Sequence, residues 1–279
     1  MRRRSRLALV TAILGLLVGC RAVLGIDTSR EVISTDAGDS GPPDAPGDVS
    51  EPAPLVSVFC HDLRPAPGFC DDFDVDPFEG TWDNAAETPD PGVGGGGTLT
   101  PDTTRFQSAP RSALLQVPQI LPGVAAVSVL VTTAPKGLAT LEISAAVRID
   151  TEFFPDAEGH ASVLSVSFVG GAGRFVEIRR GKSGSVLVLY DGTAVPLREP
   201  FPVGAWKTVE MRFTFGATAE GPRVMTYIDG VGAGQAPLPA DFYRAADYPR
   251  VAVGPGAAVG PMRELRMNVD NVFLRGTLQ

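Results

Sequence analysis

Cysteine and histidine are both scarce in this chain of 279 residues: three of the first, two of the second, and no Cys-x-x-Cys spacing anywhere. A thiolate metal site or a redox dithiol therefore lacks its usual ligand pattern. No Gly-x-Ser-x-Gly occurs, and a Ser/His/Asp triad would have to use His61 or His160. His61 falls between Cys60 and Cys70, and His160 is flanked by glycine, so both read as exposed loop histidines. No glutamate in the folded part is followed two residues later by aspartate, and that order is what a one-strand glycosidase acid pair would show. Basic residues are also short, 24 against 32 acidic ones, for a net charge of −8. Without clustered Lys and Arg, nucleic acid is an unsuitable partner. Finally, there is no apolar run of about 20 residues to span a membrane.

What is there begins with MRRRSRLALVTAILGLLVGC, a basic head followed by a short apolar core. This is the plan of an export signal. Its end, Leu17-Val18-Gly19-Cys20, resembles the lipobox of bacterial lipoproteins. The resemblance implies that residues 1 to 19 are removed and that Cys20 carries a lipid anchoring the protein to a membrane. Losing Arg2, Arg3, Arg4 and Arg6 would bring the mature chain to −12. Arg21, where an inner-membrane lipoprotein would carry aspartate, points toward the outer membrane, periplasmic or surface-exposed. With Cys20 lipidated, an exported chain keeps Cys60 and Cys70, and an even remainder reads as a disulfide.

Residues 20–56 are acidic and rich in Pro, Gly and Ser, which predicts a disordered tether. From residue 57 to 279 the apolar residues recur with period two, as in AAVSVLVTT, ASVLSVSFV and WKTVEMRFTF. Asp191-Gly192 and Asp229-Gly230 predict type I′ hairpin turns, which need positive φ at both central residues. About a dozen strands without a competing helical stripe predict a two-sheet sandwich. Two phosphate-loop look-alikes fail on context. Gly181-Lys182-Ser183 is followed by a strand, and Gly92 to Gly97 lies in a proline-flanked loop.

Three pieces of the chain resemble the concanavalin A-like lectin/glucanase superfamily. Cys70-Asp71-Asp72-Phe73-Asp74 with Trp82 is similar to its opening strand. Gly204-Ala205-Trp206 through Tyr227-Ile228-Asp229-Gly230 is similar to the G-x-W…Y-x-D-G hairpin of laminin G-like members. Val269-Asp270-Asn271-Val272-Phe273-Leu274 resembles the closing strand. The resemblance implies an all-β antiparallel jelly-roll sandwich in which the closing strand runs beside the opening one. It also places Trp82 and Trp206 in strand packing.

Asp72-x-Asp74-x-Asp76 has the first three ligand spacings of an EF-hand, but the required glycine is Pro77 and the twelfth residue is Asp83. A structural calcium bridging first and last strands, as in jelly-roll relatives, would use Asp72 or Asp74 with Asp270. Glu177-Ile178-Arg179, Glu210-Met211-Arg212 and Glu264-Leu265-Arg266 put each glutamate beside an arginine on one strand face, with the middle residue in the core. An arginine there favours the ionised carboxylate, the opposite of what a general acid needs. For sugar stacking, the exposed candidates are Tyr243 and Tyr248 in the turn ADFYRAADYPR. The reading that follows is a lipid-anchored envelope module that binds glycans and is not an enzyme. The alternatives are a polysaccharide-degrading glycoside hydrolase or lyase with an unrecognised site, and a purely structural module.

Overall fold

The structure, a computed structural model, describes residues 58–74, 82–86, 96–122, 125–151, 154, 159–170, 174–199, 201–216, 220–256 and 258–279. The signal segment, Cys20 and the tether lie outside these residues. No helix among them is long and apolar enough to cross a membrane.

One helical turn, α1 (Val58–Asp62), precedes β1 (Phe69–Asp71), β2 (Asn84–Ala86), β3 (Thr98–Asp102), β4 (Ser112–Val117), β5 (Ala125–Ala126) and β6 (Val129–Thr133). Next come β7 (Leu138–Thr151), β8 (His160–Val169), β9 (Arg174–Gly181), β10 (Gly184–Leu189), β11 (Ala194–Pro196) and β12 (Trp206–Thr214). The chain closes with β13 (Arg223–Ile228), β14 (Val231–Pro237), β15 (Tyr248–Val253), β16 (Ala258–Val259) and β17 (Leu265–Leu278). The first sheet runs β14-β13-β12-β7-β17-β4-β3, with β1 added to β17. The second runs β11-β10-β9-β8-β15-β6-β2, with β16 joining β8 to β5. Every pairing is antiparallel, and the all-β jelly-roll sandwich expected from the sequence is the fold observed.

Period-two patterning fixes which side of each strand faces inward. On β7, Leu141, Ile143, Ala145, Val147 and Ile149 enter the core, and Glu142, Ser144, Ala146, Arg148 and Asp150 face out. On the second sheet, Leu164, Val166 and Phe168 of β8 meet Val176 and Ile178 of β9 and Val251 and Val253 of β15 in the same core. One end is filled by aromatics: Phe168 makes edge-on contacts with Phe213, Phe215, Phe242 and Tyr243 at centroid distances of 6.0, 5.7, 5.0 and 5.8 Å.

The opening and closing strands lie side by side, Cys70 opposite Phe273. Cys60 and Cys70 form the expected disulfide, closing α1 onto β1. The turn at Asp229-Gly230 has φ of 52° and 76°, as a type I′ hairpin requires. At Asp191-Gly192 only the glycine is left-handed, with φ of 84°, and the aspartate instead accepts a bond from the Thr193 amide at 2.9 Å. The type I′ expectation therefore holds at one of the two turns.

Candidate functional site

Each sheet has an outer face, and their side chains differ in a way that separates them chemically. On the first sheet the charges neutralise one another. Glu142 receives Arg275 at 2.8 Å and Arg212 at 3.4 Å, and Arg212 also meets Glu210 at 2.7 Å. Burial disfavours charge on Arg212, but these carboxylates outweigh it and raise its affinity for the proton. Its guanidinium lies over the Tyr227 ring, 4.4 Å from the centroid. Farther along, Asp150 holds Arg148 at 2.6 Å and Arg105 at 2.9 Å.

The loop between β3 and β4 is fastened to this same face by two buried aspartates. Asp102 accepts the Thr104 amide at 2.7 Å and hydroxyl at 2.6 Å, and the Asn268 amide group at 3.0 Å. Burial pushes Asp102 up, yet these bonds hold it below the usual carboxylate range. Asp270, fully buried in a bulge of β17, accepts the amides of Gln107, Ser108 and Asn271 at 2.8, 2.9 and 2.8 Å. Here burial wins, and the carboxyl is pushed up to about 7.

The outer face of the second sheet is arranged otherwise. Val251 and Val253 point into the core, so Tyr248, Arg250 and Ala252 of β15 point out. Across the sheet, Arg250 is opposite Thr133 of β6 and Ser167 of β8, and Ser167 is opposite Phe175 of β9. Ser165, the outward neighbour two residues back, is opposite Glu177. The Arg250 guanidinium makes no hydrogen bond or ion pair with the described residues. The Lys136 ammonium stands 5.6 Å over the Tyr248 ring. Glu177 is ion-paired with Arg179, two residues on and on the same face. This face thus presents an arginine without a carboxylate partner, a lysine, a phenol and several hydroxyls, on a chain that is acidic overall.

The candidates named from sequence fall as follows. Tyr248 is half-buried on the face just described. Tyr243 is only 8% exposed, packed against Phe215 at 4.3 Å, and its hydroxyl accepts the Leu138 amide at 3.0 Å. The expectation of an exposed Tyr243 is corrected, because the aromatic cluster around Phe168 gives the ring a core to enter. As for Asp72, Asp74 and Asp270, no three His, Cys, Asp or Glu among the described residues could hold a metal ion. Asp270 is occupied by loop amides. Asp74 is raised to about 6 by burial, then by Asp72 and Asp71. Trp82 is in the core and donates to Asp71 at 2.6 Å. Trp206 lies outside the core, half-buried opposite Arg148. His61 is exposed as expected, whereas His160 opens β8, half-buried between Val259 and Gly181 rather than standing in a turn. The three Glu-x-Arg pairs each share a face, with Ile178, Met211 and Leu265 buried between them. Arg250 was missed by sequence reading; its signal was a place two residues from Tyr248 on an alternating strand.

No family model matches the chain, and no curated protein matches it. Among solved structures, the sandwich is similar to the endo-β-1,4-glucuronan lyase of the fungus Trichoderma reesei. That match has a TM-score of 0.55 and 13% identity, over 76% of this chain and 95% of the lyase. A cellulose-induced protein, Cip1, matches with a TM-score of 0.52 and 16% identity, over 74% of this chain and 96% of its own. At such identities the likeness is one of fold. It nevertheless overturns the expectation of a module that is not an enzyme, since nearly the whole of a lyase is this same sandwich.

Proposed function

We propose that this protein is a polysaccharide lyase acting on acidic glycans at the bacterial cell envelope, held to a membrane through lipid on Cys20. The observation that supports it most is the outward pair on β15, Tyr248 and the carboxylate-free Arg250, on a sandwich similar to a glucuronan lyase. β-Elimination at a uronic acid needs its carboxylate neutralised, so that the proton on the adjacent carbon becomes acidic. Arg250 offers a planar guanidinium matched to a carboxylate. Tyr248 is the group in position to move the proton from that carbon to the departing glycosidic oxygen. The carbon–hydrogen and carbon–oxygen bonds break, a carbon–carbon double bond forms, and the proton ends on the leaving sugar. Ser165, Ser167 and Thr133 supply donors and acceptors for sugar hydroxyls.

The test is ultraviolet absorbance of the new double bond during incubation with glucuronan or alginate. Arg250→Ala should lower kcat/KM by about a hundredfold, the worth of a charge-assisted bond. Tyr248→Phe should still bind the glycan and lose turnover. Binding of acidic glycans by the wild type without any double bond would sink the lyase reading, as would turnover indifferent to both substitutions. For the anchor, Cys20→Ser should release the protein from membranes; continued membrane attachment would refute lipidation.

A further inference from the structure

The pair Glu177–Arg179 on β9 is a charged group of the second face that the reaction just described does not use. Glu177 is 6% exposed even though it points away from the core. A carboxylate so buried is retained only if paired, and its pairing is with Arg179, whose side chain stays 29% exposed. The Arg179 Nη2 is engaged with Glu177, and its Nε is buried with no hydrogen-bond partner among the described residues. The guanidinium is therefore pinned from below while part of it reaches solvent. A guanidinium carries five donors, so one held by a single carboxylate can take a second.

Arg179 and Arg250 share a face, because Val176 and Ile178 on β9 and Val251 and Val253 on β15 all enter the core. Register sets their separation. Arg250 is level with Phe175 through Ser167, two strands away, and Arg179 lies four residues beyond Phe175. With strands 4.8 Å apart and roughly 3.3 Å per residue, the two Cα atoms are about 16 Å apart. Between them lie the small outward side chains of Ser165 and Ala252. On the first sheet, Arg148, Arg212 and Arg275 are engaged with Asp150 and Glu142, whose side chains are 12% and 23% exposed against 8% for Glu177.

We propose that Arg179, braced by Glu177, is a second carboxylate-reading subsite that makes the enzyme prefer acidic oligosaccharides long enough to reach from Arg250 to Arg179. This rests on the reading of the Arg250 face as the glycan site. Arg179 is a specificity-determining residue, and Glu177 a positioning residue acting through it. The test is a length series of oligouronates, measured for turnover and, by calorimetry, for affinity. Wild type should gain in kcat/KM and affinity once the oligomer spans both arginines. Arg179→Gln should shrink that long-to-short ratio by about tenfold to a hundredfold, and Arg179→Lys should restore part of it. Glu177→Gln should raise KM for long oligomers with kcat little changed. If Glu177→Gln fails to fold, the Arg179 variants still decide. A long-to-short ratio unchanged in Arg179→Gln overturns the subsite while leaving the lyase intact. A length preference in affinity that depends on Arg179, without turnover, supports the subsite and removes the lyase. Absence of both binding and turnover in the wild type overturns both.

Discussion

Asp270 should make this protein less stable as the pH rises through neutrality, opposite to the behaviour of a salt-bridged carboxylate. In the folded state its carboxyl sits near 7 because burial penalises the charge, against an ordinary value of 3.8. The folded protein therefore holds a proton that the unfolded chain has released between about pH 4 and 7. Stability contributed by that proton is complete below the lower limit, declines across the window and is gone above the upper one. At 1.36 kcal/mol per pH interval, the fall from pH 4 to 8 is on the order of 4 kcal/mol. Asp74, raised to about 6, acts in the same direction. Urea unfolding at pH 5 and pH 8, followed by tryptophan fluorescence, measures the difference directly. Asp270→Asn separates the group from the rest. Its amide nitrogen would face the Gln107, Ser108 and Asn271 amides, all donors, at a cost of about 1–3 kcal/mol at pH 5. The variant should nonetheless lose much of the pH slope. A wild type as stable at pH 8 as at pH 5, or a slope unchanged in Asp270→Asn, would refute the reasoning.

Three further outcomes are expected. Cys60→Ser should lower stability by about 2–3 kcal/mol, the chain-entropy value for a loop of ten residues, and reduction of the wild type should do the same without additive effect in the variant. Tyr243→Phe removes the acceptor for the buried Leu138 amide and should cost about 1–3 kcal/mol in thermal unfolding; a neutral result would mean that the amide finds another partner. Gly254, with φ of 112°, has Leu115 Cδ2 only 2.4 Å from where a Cβ would stand, so Gly254→Ala should cost at least about 2 kcal/mol, and a stable variant would show that this edge of the core yields.

The sandwich was legible because its strands alternate cleanly, and the disulfide because exported chains leave few cysteines unpaired. The adjacency of Cys70 and Phe273 came from a resemblance of motifs, not from periodicity. What stayed hidden depended on third neighbours. A run such as DFYRAADYPR says that two tyrosines occupy a turn, yet Tyr243 goes inward because Phe168, Phe213 and Phe215, from two other places in the chain, leave room for it. Trp206 misled in the other direction: it shares the outward parity of Glu210 and Arg212, but the resemblance of motifs placed it in strand packing. Asp270 was read as a metal ligand because sequence does not show the loop amides that occupy it. Arg250 became visible only when pairing with β6 and β8 showed that no carboxylate among the described residues lies beside it.

The long last strand, β17, lies in the middle of the first sheet, with β7 along one side and β4 and β1 along the other. Until residues 265 to 278 are made, that sheet exists only as three separate parts, and β7, β4 and β1 each offer an unpaired row of amides and carbonyls. Pairings such as Phe69 with Leu274 join the two ends of the domain, so they carry a high loop-closure cost and form late. Synthesis from the N-terminus cannot complete this domain piece by piece. A chain stopped before Leu265 would keep its aggregation-prone edges open, and the fold becomes available only once the fourteen residues of β17 have emerged.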